Sequence, residues 1–426
     1  MRRVAITGLG TVNPLGLDVE SSWRRMLAGE SGVAPITRFD TSQHAVRIAA
    51  CVAWDPAQHF AGPELRKLDP FTMWALMAAR EALADAGLED LDQHAAEQRE
   101  RYAAVIGTGI GGITGIEEQH LTMLEKGPRR VSPHFIPRIM ANAVSGQVSI
   151  AHGLLGTSFA TSSACASSGH AMGMAWQSIR SGESDLVITG GAESATTPLG
   201  LAGFCSAKAL STRNDDPEGA SRPFDRDRDG FVMGEGCGIL VFEELELARA
   251  RGARLYAEVK GFGSTDDAFH ITAPREDGDG PARAMALALR TGGVEPDRID
   301  YINAHGTSTR YNDAIETLAI RRVFGHHAAR LSVSSTKSMI GHLLGASSAV
   351  ELVATALSVH HGQVHPTRNY TTPDPECDLD YVPGEARDVQ VRNALSNSLG
   401  FGGHNVSICL GQPSCAGVTL CPPQPT

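Results

Sequence analysis

Three side chains in this sequence are suited to nucleophilic and acid–base chemistry: Cys165, His305 and His342. Cys165 lies within 159–177, FATSSACASSGHAMGMAWQ. A short β-leaning run at 157–161 precedes it, and a proline-free run rich in Ala, Gly and Met follows and reads as a buried helix. The thiol is therefore expected near a strand-to-helix turn, at a helix N-terminus whose dipole favours thiolate over thiol. Its Ser, Ala and Gly neighbours leave room for a thioester to approach. The alternative is a structural cysteine packed among small residues, a common place for a free thiol.

His305 follows a strand-like run in NAHGTST, 303–309, and His342 lies in SSTKSMIGHLLG, 334–345. Both sit where a strand gives way to small and hydroxyl residues, a loop chemistry suited to ligands. Cysteine with one histidine suggests a protease or an acyltransferase, with the histidine as base. Two histidines suggest more. Neutral imidazole N–H groups can donate to a developing enolate oxygen, which suits carbon–carbon bond formation from a decarboxylating malonyl thioester. Lys337 precedes His342, and Glu351 is expected on the same helix as both. They either orient the histidines or hold a water, or they are a surface charge and a salt bridge. In SLGFGGHN, 398–405, glycines flank Phe401 and permit unusual backbone angles. A backbone N–H of Phe401 or Gly402 could join that of Cys165 in an oxyanion hole, with Phe401 as a gate; otherwise this is a hairpin turn.

A chain of 426 residues exceeds what one core usually serves, so two lobes are expected. Strand-like and helix-like runs alternate, which suggests a largely parallel sheet covered by helices. The order of elements then repeats. Residues 256–260 with Gly261-Phe262-Gly263 echo 4–7 with Gly8-Leu9-Gly10, each read as a strand ending in a glycine turn. Likewise 300–303 echoes 102–106, 331–334 echoes the strand before Cys165, and 398–410 echoes 231–241. Such a duplication brings the loops of His305 and 337–342 towards Cys165. The charged segment 205–236 is either a solvated excursion or a network that fixes loops near the site. The expected division is a first half over 1–254, a second over 255–411 and a disordered tail over 412–426.

The eight cysteines form no CxxC pair, so neither a zinc ribbon nor a disulfide framework is indicated, and a reducing cytoplasm fits best. No metal is expected. No apolar run is long enough to span a membrane, and MRRVAITGLG reads as a first strand rather than a signal peptide. A net charge of −11 argues against a nucleic-acid role. The GxGxxG match at 107–112 lacks the acidic residue a dinucleotide site wants about 20 residues on.

In combination, SSACASSG, NAHGTSTRYND, SSTKSMIGHLLGA and NSLGFGG make the chain resemble the β-ketoacyl-ACP synthases of the thiolase-like superfamily, most closely the synthase II group. The resemblance runs from VAITGLG to SLGFGGHNVSICL. It implies an α/β fold: a duplicated αβαβα sandwich with mixed five-stranded sheets in two pseudo-symmetric halves. It implies that Cys165 takes an acyl chain from acyl carrier protein, and that His305 and His342 assist loss of CO2 from malonyl-ACP, supported by Lys337 and Glu351. Thr307 and Thr309 would contact the phosphopantetheine arm, which the carrier supplies, so no cofactor of the chain's own is implied, and Thr272 would be a further substrate-binding residue. Ile110 and Phe204 resemble acyl-pocket residues. Arg66, Lys67, Arg129, Arg130 and Lys208 stand where the family docks its acidic carrier, unless they are scattered solubilising charge. A homodimer is implied. RYND after GTST also resembles type II polyketide ketosynthase subunits, which pair with a chain-length-factor partner. A non-catalytic subunit would lack the intact Cys165, His305 and His342, and a biosynthetic thiolase would want a second cysteine that Cys409, Cys415 and Cys421 do not supply well.

Overall fold

The computed structural model describes residues 1–413; most of the tail at 412–426, with Cys415 and Cys421, lies outside the described residues. Ten strands build the core: β1 Val4–Val12, β2 Tyr102–Gly107, β3 Ser158–Thr161, β4 Leu186–Glu193, β5 Gly236–Glu244, β6 Ala257–Asp266, β7 Tyr301–Asn303, β8 Ser332–Ser334, β9 Asn393–Gly400 and β10 His404–Gly411. Five helices matter most for the site: α1 Pro70–Ala86, α2 Ser167–Ser181, α3 Asp279–Gly292, α4 Arg310–Phe324 and α5 Ser347–His361.

The first half orders its strands β1-β5-β4-β2-β3 and the second β6-β10-β9-β7-β8. The pairing matches position by position: antiparallel at β1/β5 and β5/β4, parallel at β4/β2 and β2/β3, with the same alternation in the second half. The sheets are therefore mixed; only the outer three strands of each half are parallel, fewer than strand–helix alternation suggests. The halves join edge to edge through a short antiparallel ladder, Val4 to Val259, Ala5 to Glu258 and Ile6 to Ala257.

The layers follow from where side chains are small. α2 and α5 lie between the sheets and touch each other and both halves. A Cβ on Gly107 would meet the Ser167 backbone at 2.5 Å, and one on Gly238 the Ala349 backbone at 2.7 Å, so glycine lets these helices approach. α1 covers the first sheet and α3 the second. Here the structure corrects the glycine-turn expectation. Gly8 and Gly10 lie inside β1, and a Cβ there would sit 2.0 and 1.9 Å from the carbonyl oxygens of Ala82 and Ala78 in α1. Gly261 and Gly263 lie inside β6, 2.1 and 2.0 Å from those of Ala288 and Ala284 in α3. The repeated Gly-x-Gly marks close helix approach, not a turn. Among the described residues, no helix is long and apolar enough to cross a membrane.

Candidate active site

Cys165 precedes α2, after Ala164 in a left-handed backbone conformation at φ +50°. That turn aims the thiol into a cavity of about 530 Å³. His305 follows β7, and the carboxylate of Glu316 on α4 accepts the backbone N–H groups of His305 and Gly306 at 2.9 Å each. His342 does not share a helix with Lys337 and Glu351, as the sequence suggested. The helix Lys337–Ile340 ends at Gly341, at φ +67°, His342 lies in the connection beyond, and Glu351 belongs to α5. The break swings His342 against the thiol, with Nε2 2.9 Å from Cys165 Sγ. The His305 and His342 rings stand edge-on, centroids 5.3 Å apart. One ligand-capable atom each from Cys165, His305 and His342 falls within 4.8 Å of the others, a spacing a metal ion could also use. The Lys337 ammonium, 3.2 Å from His305 Nδ1, opposes a cation there.

Lys337 is only 1 % exposed, so its charge must be matched inside the protein. Its three N–H groups go to His305 Nδ1, to the His305 carbonyl at 2.7 Å and to Glu351 Oε1 at 2.5 Å. Burial pushes Glu351 up to about 7, against the pull of Lys337. Burial first, and then Lys337, hold both imidazoles well below their ordinary range, so both are neutral.

The thiol departs from expectation. Lys337 and the N–H groups of Phe401 and Cys165 favour thiolate, but burial outweighs them and pushes Cys165 up to about 11. The resting group is a thiol. Its alkylation by iodoacetamide is therefore expected to rise about tenfold per unit between about pH 7 and pH 9; a plateau within that range would show a depressed thiol instead. The N–H groups of Phe401 and Cys165 both act on the thiol, so both stand close to where an oxyanion would form on a thioester of Cys165. Gly402 is not available for it: its N–H donates to the Ile271 carbonyl at 2.7 Å. Phe401 stands in the β9–β10 hairpin, exposed and lining the cavity.

Ile110, Phe204, Thr272, Thr307, Thr309 and Lys208 all line the same cavity, and the Thr307 and Thr309 hydroxyls are 2.9 Å apart. Arg66, Lys67, Arg129 and Arg130 are exposed and without an ion-pair partner among the described residues, but they do not line the cavity. The charged segment at 205–236 is an ordered network. Arg228 is buried, pairs with Asp374 at 2.6 Å and donates to the carbonyls of Thr309 and Arg310. The Arg222 N–H donates to Ser308 Oγ at 2.9 Å. Together they hold the GTST loop.

Sequence reasoning missed Glu193, Phe231 and Ser347. Buried Glu193 ends β4 and accepts the N–H groups of Gly109, Ile110 and Gly345 at 2.7, 3.2 and 3.0 Å, tying the two halves beside the cavity. An acid at the end of the apolar run LVITGGAE was the available signal. Phe231 sets its ring edge-on to His342, centroids 5.2 Å apart. Ser347 Oγ lies 2.9 Å from His342 Nδ1.

Residues 1–248 match the family model "Beta-ketoacyl synthase, N-terminal domain" and 256–371 match "Beta-ketoacyl synthase, C-terminal domain". The chain is 50% identical over 408 residues to a 3-oxoacyl-[acyl-carrier-protein] synthase 2 of Synechocystis sp., covering 96% of this chain and 97% of that protein. The synthase of the same name from Staphylococcus aureus (strain COL) is 49% identical, with 95% and 97% covered. Among solved structures, a type II polyketide ketosynthase with its acyl-carrier protein superimposes at a TM-score of 0.89 with 34% identity, over 97% of this chain and 100% of that one. The ishigamide ketosynthase/chain length factor does so at 0.89 and 37%, with the same coverage. With the duplicated sandwich, the Cys165–His305–His342 cluster and matches spanning both halves, the chain belongs to the β-ketoacyl synthase family.

Proposed function

We propose that this chain is a β-ketoacyl-[acyl carrier protein] synthase that elongates acyl chains in two steps at Cys165. In the first, the Cys165 thiol attacks an acyl thioester presented on the phosphopantetheine arm of acyl carrier protein. A new C–S bond forms, the old one breaks, and the departing pantetheine sulfur takes the thiol proton. The N–H groups of Cys165 and Phe401 stabilise the oxyanion between those events. In the second, malonyl-ACP occupies the cavity, with its arm along Thr272, Thr307 and Thr309. The bond to its carboxylate breaks, CO2 leaves, and the electron pair moves onto the thioester carbonyl as an enolate. His305 and His342 donate to that oxygen. The enolate carbon then attacks the Cys165 thioester, the C–S bond to Cys165 breaks, and the departing thiolate takes a proton from water, giving 3-ketoacyl-ACP and the free thiol.

The observation that carries this reading is two neutral histidines beside one buried thiol, backed by a buried lysine. A protease needs one imidazole as base; a second neutral one suits an enolate. The chain needs no cofactor of its own in this scheme. The unpaired Arg66, Lys67, Arg129, Arg130 and Lys208 would meet the acidic carrier. Exposed Ile150, Leu155 and Phe159 lie in or beside the edge strand β3, where a second subunit would cover them. A homodimer in fatty-acid elongation accords with 50% identity to a synthase 2. Pairing with a chain-length-factor subunit is the second reading, favoured by the polyketide ketosynthases among the structural relatives. A cytoplasmic location accords with both.

Purified protein given acyl-ACP and malonyl-ACP is expected to release CO2 and 3-ketoacyl-ACP in equal amounts. Hydrolysis of acyl-ACP without either product would contradict the reading.

A further inference from the structure

The two imidazoles beside Cys165 are held at Nδ1 by unlike partners. At His305 the partner is the Lys337 ammonium, which can only donate. Nδ1 of His305 therefore accepts, and the ring proton sits on Nε2. At His342 the partner is the Ser347 hydroxyl, 2.9 Å away. Ser347 is 1 % exposed, and His342 Nδ1 is the only hydrogen-bond partner of its oxygen among the described residues.

A hydroxyl can donate or accept, but a buried hydroxyl proton left without an acceptor is costly. If His342 carried its proton on Nδ1, that N–H would donate to Ser347 Oγ and the hydroxyl proton would have nowhere to go. The lone pair of Nε2 would then face the point where negative charge develops. With Ser347 donating, both groups are satisfied and the ring proton sits on Nε2, 2.9 Å from Cys165 Sγ. Ser347 also opens α5, whose N-terminal dipole disfavours an imidazolium beside it.

We infer that Ser347 is a positioning residue that fixes His342 in its Nε2–H tautomer, so that His342 and His305 present two like N–H donors to the enolate oxygen. The inference rests on the condensing reaction proposed above. No proton moves in the step it supports: the carbon–carboxylate bond breaks, CO2 leaves, and the enolate oxygen is held by two hydrogen bonds.

The test compares Ser347→Ala and Ser347→Thr with wild type in the full chain. Neutron diffraction of deuterium-exchanged crystals is expected to place a deuteron on His342 Nε2 and none on Nδ1 in wild type. Ser347→Ala is expected to decarboxylate malonyl-ACP about tenfold or more slowly, with acyl transfer to Cys165 changed less than about threefold. Ser347→Thr, which keeps the hydroxyl, should recover the decarboxylation. A deuteron on Nδ1 in wild type would overturn the assignment, as would Ser347→Ala decarboxylating at the wild-type rate. If Ser347→Ala fails to fold, the wild-type deuteron position decides alone. If wild type does not decarboxylate malonyl-ACP at all, the condensing reading fails, while the deuteron position still decides the role of Ser347.

Discussion

Lys337→Met is expected to slow condensation by about 10²–10³-fold while slowing acyl transfer far less. Lys337 donates to His305 Nδ1 and so keeps the Nε2 proton aimed at the cavity. Methionine fills similar space but cannot donate, and His305 is then free to take the other tautomer. Acyl transfer relies instead on the thiol and the N–H groups of Cys165 and Phe401. The same substitution strands Glu351, which is fully buried and already pushed up to about 7 with the lysine present. Losing one partner of a buried pair costs about 3–5 kcal/mol when the other stays charged. Without Lys337 the carboxyl rises further and prefers its proton. A group raised in the folded state contributes stability below its unfolded value, and that contribution is lost as pH climbs through the folded value. Lys337→Met should therefore lose more stability relative to wild type at pH 8 than at pH 6. Melting curves at both values check this, and an equal loss at both would mean Glu351 is not the group left unpaired.

Cys165→Ala separates the two halves of the chemistry. Condensation is expected to fall by at least about 10⁴-fold, since no thioester can form on the chain. Malonyl-ACP decarboxylation should survive within about tenfold. His305 is held by Lys337 and His342 by Ser347, and neither arrangement involves the sulfur. Loss of decarboxylation together with condensation would place the thiol in the second step as well.

Much of this was visible in the sequence where function and fold mark the same residues. Cys165 and His305 each sit just beyond a short strand and His342 one short helix beyond another, at topologically repeated places, and the structure brings them together. Signals with two physical meanings misled. Gly-x-Gly signals a turn or a close approach, and at Gly8 and Gly10 the carbonyls of α1 decide for the second. A break at Gly341 and the connection through residue 346 separate two helices that periodicity merges into one. Long-range effects left no local trace. Glu193 reaches loops 84 and 152 residues away. Ser347 looks like any helix-opening serine until His342 lies beside it. The thiol was misjudged for the same reason, because a helix terminus can be seen in sequence whereas burial cannot.

Intact-protein mass tests the central claim most directly. Wild type incubated with acyl-ACP should gain the mass of one acyl group, Cys165→Ala should gain none, and malonyl-ACP should then discharge the wild-type adduct with release of CO2. An acyl adduct on the Cys165→Ala protein, or a wild-type adduct that malonyl-ACP cannot discharge, would contradict the account.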